Sequence, residues 1–156
     1  MDDSTPIRPF QQQIVVRWQD IDANRHLRNT AYSEFATDTR FRYVAAHGYS
    51  QERFEELRFG PVILREDIRY RREVLLGQTV TVNFMAAGLS SDGSQWRVRQ
   101  QVLLPDGREA AVLTLDGGWI HMDTRRLIEP PAELIALLEH LPRTSDFEEL
   151  PSLLRV

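Results

Sequence analysis

The pattern of hydrophobic and polar positions begins with a strand and a long helix. Residues 12–18 (QQIVVRW) are rich in β-branched side chains and predict a strand. From about residue 30 to residue 47, aromatic and aliphatic side chains recur at helical spacing. Gly48 is well placed to end this helix, and Asn29 or Thr30 is predicted to cap its start.

Beyond residue 61 the hydrophobic period changes to the period of two that is typical of strands. Residues 62–74 alternate between apolar and charged side chains, which predicts a strand with one covered face. Val62, Leu64, Ile68 and Tyr70 are expected to share that apolar face. Three more strands are predicted at 78–88, 94–104 and 108–122, and the last is apolar on both faces, which favours a central position.

Shorter segments complete the pattern. Residues 50–58 predict a helical turn that stops at Gly60-Pro61, and a C-terminal helix is predicted after Pro130-Pro131. Within the C-terminal tail, 141–156, the segment DFEELPSLLRV (146–156) is expected to add a short helix or to dock on a neighbour. The order of elements predicts an α+β fold, a single domain over 1–156 with its core at about 12–140.

Length, composition and charge narrow the class of protein. A chain of 156 residues with 42% hydrophobic and 27% charged residues is typical of one globular domain. The 19 basic residues against 23 acidic ones give a net charge of −4, which argues against general nucleic-acid binding. Because there is no Cys, thiolate nucleophiles and thiolate metal sites are excluded. With neither a secretory signal nor a membrane span in the sequence, we expect a cytoplasmic protein.

The candidate chemistry concentrates in residues 18–32, WQDIDANRHLRNTAY. Asp20, Asp22 and Asn24 match the first three ligand positions of a calcium loop. Arg25 and Ala31 stand where that loop needs its Gly and its bidentate Glu, so no metal is expected.

Two interpretations of this polar segment remain. It can be an ordinary turn whose side chains cap the helix and complement its dipole. It can also be a reactive site, because a carboxylate, the His26 imidazole and the free N–H groups of a buried helix start are a minimal set for acyl transfer. The crowding of such groups in one short segment favours the second interpretation.

The same residues resemble a known family. The segment RWQDIDANRHLRNTAYSEFATDTR resembles the N-terminal signature of hotdog-fold thioesterases, the 4-hydroxybenzoyl-CoA and long-chain acyl-CoA thioesterase group. The likeness continues through IRYRREVLLGQTVTV and DGREAAVLTLDGGWIHMDTRRLIEPPAEL, so it covers about residues 12–138. It implies a long helix wrapped by an antiparallel sheet of five or more strands. It also implies a homodimer or homotetramer with sites between subunits.

The resemblance assigns roles to individual positions. Asp22 matches the family's catalytic carboxylate, which acts as nucleophile or as base for water, while Asp20 is expected to be structural. Backbone N–H groups near Asn29 match the oxyanion donors. Asn24 and His26 also match the D-x-N-x-H of plant acyl-ACP thioesterases, in which they orient substrate or water.

Other positions are weaker matches or departures. Glu73, in YRREV, resembles an acid of the plant enzymes, although pairing with Arg71 or Arg69 is the better expectation. Arg25 stands where many relatives have Gly and is expected to alter the turn or reach a phosphate. Tyr32 is a further candidate substrate-binding residue. The group Arg65, Arg69, Arg71 and Arg72 is expected either to meet the phosphates of coenzyme A or to form a paired charged face.

The expected function is hydrolysis of an acyl-CoA or, less favoured, of an acyl-ACP. No cofactor is expected beyond the coenzyme A of the substrate, since a thiolate is already a good leaving group. Two alternatives belong to other classes: a non-catalytic hotdog protein that binds acyl-CoA, and a lyase or dehydratase in which a His/Asp pair removes a proton next to the thioester.

Overall fold

Residues 10–154, which the computed structural model describes, form six strands and three α-helices. The predicted α+β order is confirmed over this part of the chain. The elements are β1 (Phe10–Val15), α1 (Asn29–Ala46), α2 (Gln51–Leu57), β2 (Phe59–Tyr70), β3 (Thr79–Ser90), β4 (Trp96–Leu103), β5 (Glu109–His121), α3 (Ala132–Glu139) and β6 (Arg143–Leu150).

The strands form one sheet in the order β1-β3-β4-β5-β2, with every neighbouring pair antiparallel. β5 lies inside the sheet between β4 and β2, as its apolar sequence predicted. β2 is not paired with β3, its successor in the chain, but crosses to the far edge of the sheet. The predicted end of the 12–18 strand is wrong, because β1 ends at Val15 and residues 18–20 form a 3₁₀ turn.

The C-terminal tail belongs to the sheet, so the expected short helix is wrong. β6 runs parallel to β3 and pairs with its second half, whereas β1 pairs with its first half. Beyond β6, Ser152 donates a hydrogen bond to the Asp92 carboxylate, and the Leu153 N–H donates to Ser94 Oγ at 3.0 Å. These contacts fix the tail to the β3–β4 turn.

The hydrophobic core lies between α1 and one face of the sheet. Tyr32, Phe35 and Tyr43 of α1 are buried, and Leu113 and Leu115 of β5 are at most 1% exposed. Burying apolar side chains of this size supplies most of the stabilising free energy of such a layer. Gln100 is one of the buried polar residues: its amide donates to the Ala36 carbonyl at 3.0 Å and so ties β4 to α1. No helix in this part of the chain is long and apolar enough to cross a membrane.

The ends of the helices differ in part from the prediction. α1 ends at Ala46, and Gly48 follows with φ +95°, as expected of a glycine after a helix. The predicted cap is wrong: Arg28 occupies the N-cap position, and no side chain caps the helix there. α2 stops at Arg58, which has the left-handed φ of 59°, and Gly60-Pro61 already belong to β2.

A β-bulge in β2 overturns the predicted alternation of its side chains. The pairing with β5 shifts between Ile63 and Arg65, which leaves Leu64 as the extra residue. Val62 therefore lies on the outer face with Arg65, and Ile68 and Tyr70 lie on the inner face, towards α1. The same shift turns Glu66 inward, where its carboxylate accepts a hydrogen bond from Ser33 at 2.8 Å.

Candidate functional site

The polar segment forms a tight loop between the 3₁₀ turn and α1. Within it, the Asp22 N–H donates to the His26 carbonyl at 3.0 Å and the Arg25 N–H donates to the Asp22 carbonyl at 3.1 Å. The loop closes this tightly because Arg25 adopts φ +67°, the conformation that glycine adopts without steric cost. Leu27, 1% exposed, anchors the loop through its N–H, which donates to the Val74 carbonyl at 2.7 Å.

Asp20 holds this loop in place from the inside. Its side chain is buried and accepts the Arg17 N–H at 2.8 Å, and its carbonyl accepts the Arg28 N–H at 2.8 Å. The carboxylate is therefore turned towards the backbone of its own loop. This position fits the expected structural role of Asp20.

Asp22 and His26 lie side by side at the opening of a cavity of about 310 Å³. His26 Nδ1 is 3.4 Å from Asp22 Oδ2, and the two side chains are about one-third exposed, at 34% and 29%. The other carboxylate oxygen of Asp22 accepts the Asn24 N–H at 2.8 Å, which fixes the orientation of the group. The pair is thus held in position and open to solvent.

The start of α1 forms one wall of this cavity. The N–H groups of Asn29 and Thr30 have no acceptor among the described residues, as expected for the first turn of a helix without a side-chain cap. Such free donors, together with the positive end of the helix dipole, favour a negatively charged or polarised oxygen.

Two tyrosines close the cavity beside the helix start. The Tyr70 hydroxyl donates to the Asn29 carbonyl at 3.2 Å, and the rings of Tyr32 and Tyr70 meet edge to face at 5.1 Å. Burial raises the pKa of Tyr32 to about 12, with smaller contributions from Tyr70 and Asp22. The Tyr32 hydroxyl therefore stays protonated at neutral pH.

Three residues that follow β2 complete the lining: Arg71, Arg72 and Glu73. The preferred expectation for Glu73 is wrong, because Arg71 pairs with Glu109 at 2.7 Å and Arg69 pairs with Asp67 at 3.6 Å. Among the described residues Glu73 makes no ion pair. Glu73 lines the same cavity as Asp22.

The sequence shows which family carries this arrangement. Residues 16–138 match the sequence profile of the thioesterase-like superfamily. The chain belongs to this superfamily. Comparison with curated proteins finds no match.

Solved structures agree with this assignment, and the expected hotdog fold is confirmed. A Staphylococcus aureus protein in complex with CoA has a TM-score of 0.78 and 22% identity, over 88% of this chain and 89% of that one. YbaW, a probable thioesterase from Escherichia coli, has a TM-score of 0.71 and 25% identity, over 85% and 98%. A 1,4-dihydroxy-2-naphthoyl-CoA thioesterase from Synechocystis has a TM-score of 0.75 and 10% identity, over 84% and 96%. Superfamily and fold together support a thioester hydrolase.

In this superfamily member the cavity contains most, but not all, of the residues predicted from the sequence. It brings together Asp22, His26, Asn29, Tyr32 and Glu73. Asn24 and Arg25 are exposed and do not line it. The sequence had also placed Tyr70 only on an apolar strand face, although the YRREV string that contains Glu73 was a signal for its position.

The arginines of β2 and the segment after it divide between two faces. Arg71 and Arg72 line the cavity beside Asp22, and the Arg72 guanidinium donates to the Glu109 carbonyl at 2.7 Å. Arg65 and Arg69 lie on the outer face of the sheet, beside a hollow of about 530 Å³ that Arg71 also lines. The outer group fits the expected charged face, because carboxylates such as Asp67 and Asp116 alternate with it.

Proposed function

We propose that this protein hydrolyses acyl-CoA thioesters at the cavity beside Asp22. The observation that carries the proposal is the position of Asp22 and His26, next to each other at the opening of a cavity whose wall is the start of α1. A carboxylate, an imidazole and free backbone donors then surround one point, where a thioester carbonyl fits. Membership of the superfamily supports the same reaction.

Asp22 is the reactive group in this proposal. Its carboxylate either attacks the carbonyl carbon and forms an anhydride that water hydrolyses, or it removes a proton from a water molecule that attacks directly. In both routes the carbon–sulfur bond breaks and coenzyme A leaves as the thiolate. His26, 3.4 Å from Asp22, positions the water or the thioester.

The backbone of the α1 start stabilises the charge that develops on the carbonyl oxygen. The N–H groups of Asn29 and Thr30 are free to donate to that oxygen. One such donor contributes on the order of 3 kcal/mol to the transition state. Glu73 is a second acid at the cavity, and Tyr32 forms the wall against which the acyl group lies.

The coenzyme A part extends towards the arginines at the opening of the cavity. Arg72 makes no ion pair with the described residues, and neither does Arg25 on the adjoining loop. Guanidinium groups in this state suit phosphate oxygens. This gives Arg25 a contact with the coenzyme rather than with the reacting atoms, which is consistent with its position outside the cavity.

Thiol release from a panel of acyl-CoA substrates tests the reaction. Asp22→Asn is expected to lower kcat by about 10²- to 10⁴-fold, the usual contribution of a positioned acid or base. The matched control is Asp20→Asn, which removes a charge two residues away but from a group that holds the loop. Asp20→Asn should lower the thermal unfolding temperature. Its kcat, calculated per folded molecule, should fall less than the kcat of Asp22→Asn.

Other results would identify the alternatives. Hydrolysis of acyl-ACP without hydrolysis of any acyl-CoA would identify the protein as an acyl-ACP thioesterase. Tight binding of acyl-CoA without turnover would make the protein a binding module. An Asp22→Asn enzyme as active as the wild type would remove Asp22 from the mechanism.

We also propose that the working unit is a homodimer or homotetramer. β2 is at an edge of the described sheet, and Ile63, Leu64 and Tyr70 on it are 41%, 50% and 51% exposed. A second copy would cover these side chains and complete the groove between α1 and β2. Light scattering coupled to size-exclusion chromatography checks the subunit number, and a monomer with full activity contradicts this part of the proposal.

A further inference from the structure

A second cavity, of about 180 Å³, lies farther along α1. Its lining is mostly apolar and includes Phe41, Ile63, Trp96 and Trp119. Two of its lining residues are polar, Thr37 and Arg40, both from α1. The cavity therefore joins an apolar interior to one guanidinium group.

Arg40 has neutral partners only. Its guanidinium donates to Gln100 Oε1 at 2.7 Å and to Thr37 Oγ1 at 3.0 Å, which uses two of its five N–H donors. Among the described residues it makes no ion pair. Burial lowers the pKa of Arg40 to about 10, and the charge of Glu66 opposes this from beyond ion-pair distance. The group stays protonated at neutral pH, and a partly buried cation without a counter-ion favours an incoming anion.

The second cavity lies in line with the site beside Asp22. α1 and β2 run next to each other, and contacts join Asn29 to Tyr70 and then Ser33 to Glu66. Thr37 of α1 follows one turn later, at the second cavity. Both cavities are therefore lined by residues of α1 and β2, one cavity at the helix start and the other at Arg40.

The distance between the two cavities along α1 follows from helix geometry. The Arg40 guanidinium reaches back to Thr37, eight residues beyond Asn29, which corresponds to a rise of about 12 Å. An extended chain covers about 1.2 Å per bond, because three backbone bonds span 3.3–3.6 Å, so about ten bonds cover this distance.

We propose that the second cavity takes the distal end of the acyl group, and that Arg40 selects acyl chains with a carboxylate about ten bonds from the thioester carbonyl. The class of substrate is thus the CoA monothioester of a medium-chain dicarboxylic acid. This inference rests on the proposed function for its reacting end and on the second cavity for its selectivity. Arg40 acts as a specificity residue, with no part in the chemical step.

The experiment compares two substrates of equal length, decanoyl-CoA and the CoA monothioester of decanedioic acid. For the wild type, kcat/KM should be about 10- to 100-fold higher for the dicarboxylic substrate, as expected of a charge-assisted pair. Arg40→Gln keeps a hydrogen-bonding group beside Gln100 but removes the charge, so the ratio should fall to near 1. Arg42→Gln is the matched control, because Arg42 lies on the exposed side of the same helix and pairs with Asp38.

A second variant tests the electrostatics from the opposite side. Glu66 bears a negative charge close enough to act on Arg40 and competes with an incoming carboxylate. Glu66→Gln keeps a partner for Ser33 and should raise the preference for the dicarboxylic substrate. A preference lowered by this change contradicts the proposal.

Binding of the free acids separates this inference from the proposed reaction. Decanedioate should raise the thermal unfolding temperature of the wild type more than decanoate does, and Arg40→Gln should remove the difference. If both thioesters are hydrolysed equally well by the wild type, the inference is overturned and the hydrolase stands. If no thioester is hydrolysed but decanedioate binds through Arg40, the hydrolase is overturned and the anion site stands. A wild-type ratio near 1 decides against the inference even if Arg40→Gln does not fold.

Discussion

At the scale of single residues, Arg25 shows that a tight turn can form with an arginine at a position where glycine is favoured. The sequence allowed for an altered turn, but the backbone holds the conformation that a Gly would have, at φ +67°. A residue with a side chain in this left-handed backbone region destabilises the folded state by about 1–2 kcal/mol. Glycine removes this cost but has more freedom in the unfolded chain, which offsets about 0.4–1 kcal/mol.

Arg25→Gly is therefore expected to raise the free energy of unfolding by up to about 1.6 kcal/mol, as measured by urea denaturation. Arg25→Ala is the control, since it removes the same guanidinium but keeps the strain. Equal stability of the two variants would assign the effect to the lost side chain. The Ala variant also reports on phosphate contact, because it should raise KM for acyl-CoA without lowering kcat.

Asp22 and His26 could be identified from the sequence because they share one short loop. Glu73 and Tyr70 could not be placed in the site in this way. They reach it through the hydrogen bonds Leu27 N–H to Val74 carbonyl and Tyr70 hydroxyl to Asn29 carbonyl, which join segments more than 40 residues apart. Local patterns carry no information about such pairings.

At the scale of elements, the Gly117-Gly118 pair lies inside β5, where glycine usually marks a bulge or a close approach of another group to the backbone. The close approach is what occurs at Gly117: a Cβ there would lie 2.6 Å from the Val62 carbonyl oxygen and inside the Trp96 ring. The bulge itself lies in β2, at Leu64.

Gly117→Ala is expected to lower the free energy of unfolding by about 1–3 kcal/mol, the usual cost of overpacking. Gly60→Ala on β2 is the matched control, because its nearest contact is the Met122 methyl at 3.9 Å and it should change stability little. Urea denaturation of the two variants measures the difference. Equal losses would show that glycine is needed in these strands for reasons other than space.

The elements from β1 to α3 were predictable from the sequence, whereas β6 and the bulge in β2 were not. α1 is a long segment rich in alanine and aromatic residues, β5 is a long and mostly apolar segment, and both were predicted within a few residues. β6 was not predicted because DFEEL has mostly exposed polar side chains. Its strand depends on hydrogen bonds to β3 rather than on burial. The bulge at Leu64 was not predicted because the sequence of β2 around it alternates as in a regular strand.

At the scale of the whole molecule, the cluster around Asp92 links the tail to the sheet in a pH-dependent way. Burial alone would raise the pKa of Asp92, but hydrogen bonds from Ser152, Ser94 and Ser90 outweigh it and hold the pKa well below its usual range. A carboxylate with a lowered pKa in the folded state stabilises the fold above its ordinary pKa of about 4. That contribution is lost as the pH falls through the folded value.

Thermal unfolding of the wild type should therefore show a stability loss below about pH 4 that is smaller in Asp92→Asn. The variant should also be less stable than the wild type at pH 7, where the charged acceptor is missing. Asp106→Asn is a control on the neighbouring β4–β5 turn, since Asp106 bonds Arg108 within that turn and holds no part of the tail. An unchanged pH profile in Asp92→Asn would contradict the role of the cluster.

The parallel pairing of β6 with β3 also determines how late the sheet can be completed during synthesis. During synthesis Gly88 emerges long before Glu148, its partner in the ladder. Until then the second half of β3 has an open edge, which can pair with another nascent chain. We expect a slow, late docking step in refolding, and a variant shortened to end before Arg143 should aggregate more readily at the same concentration.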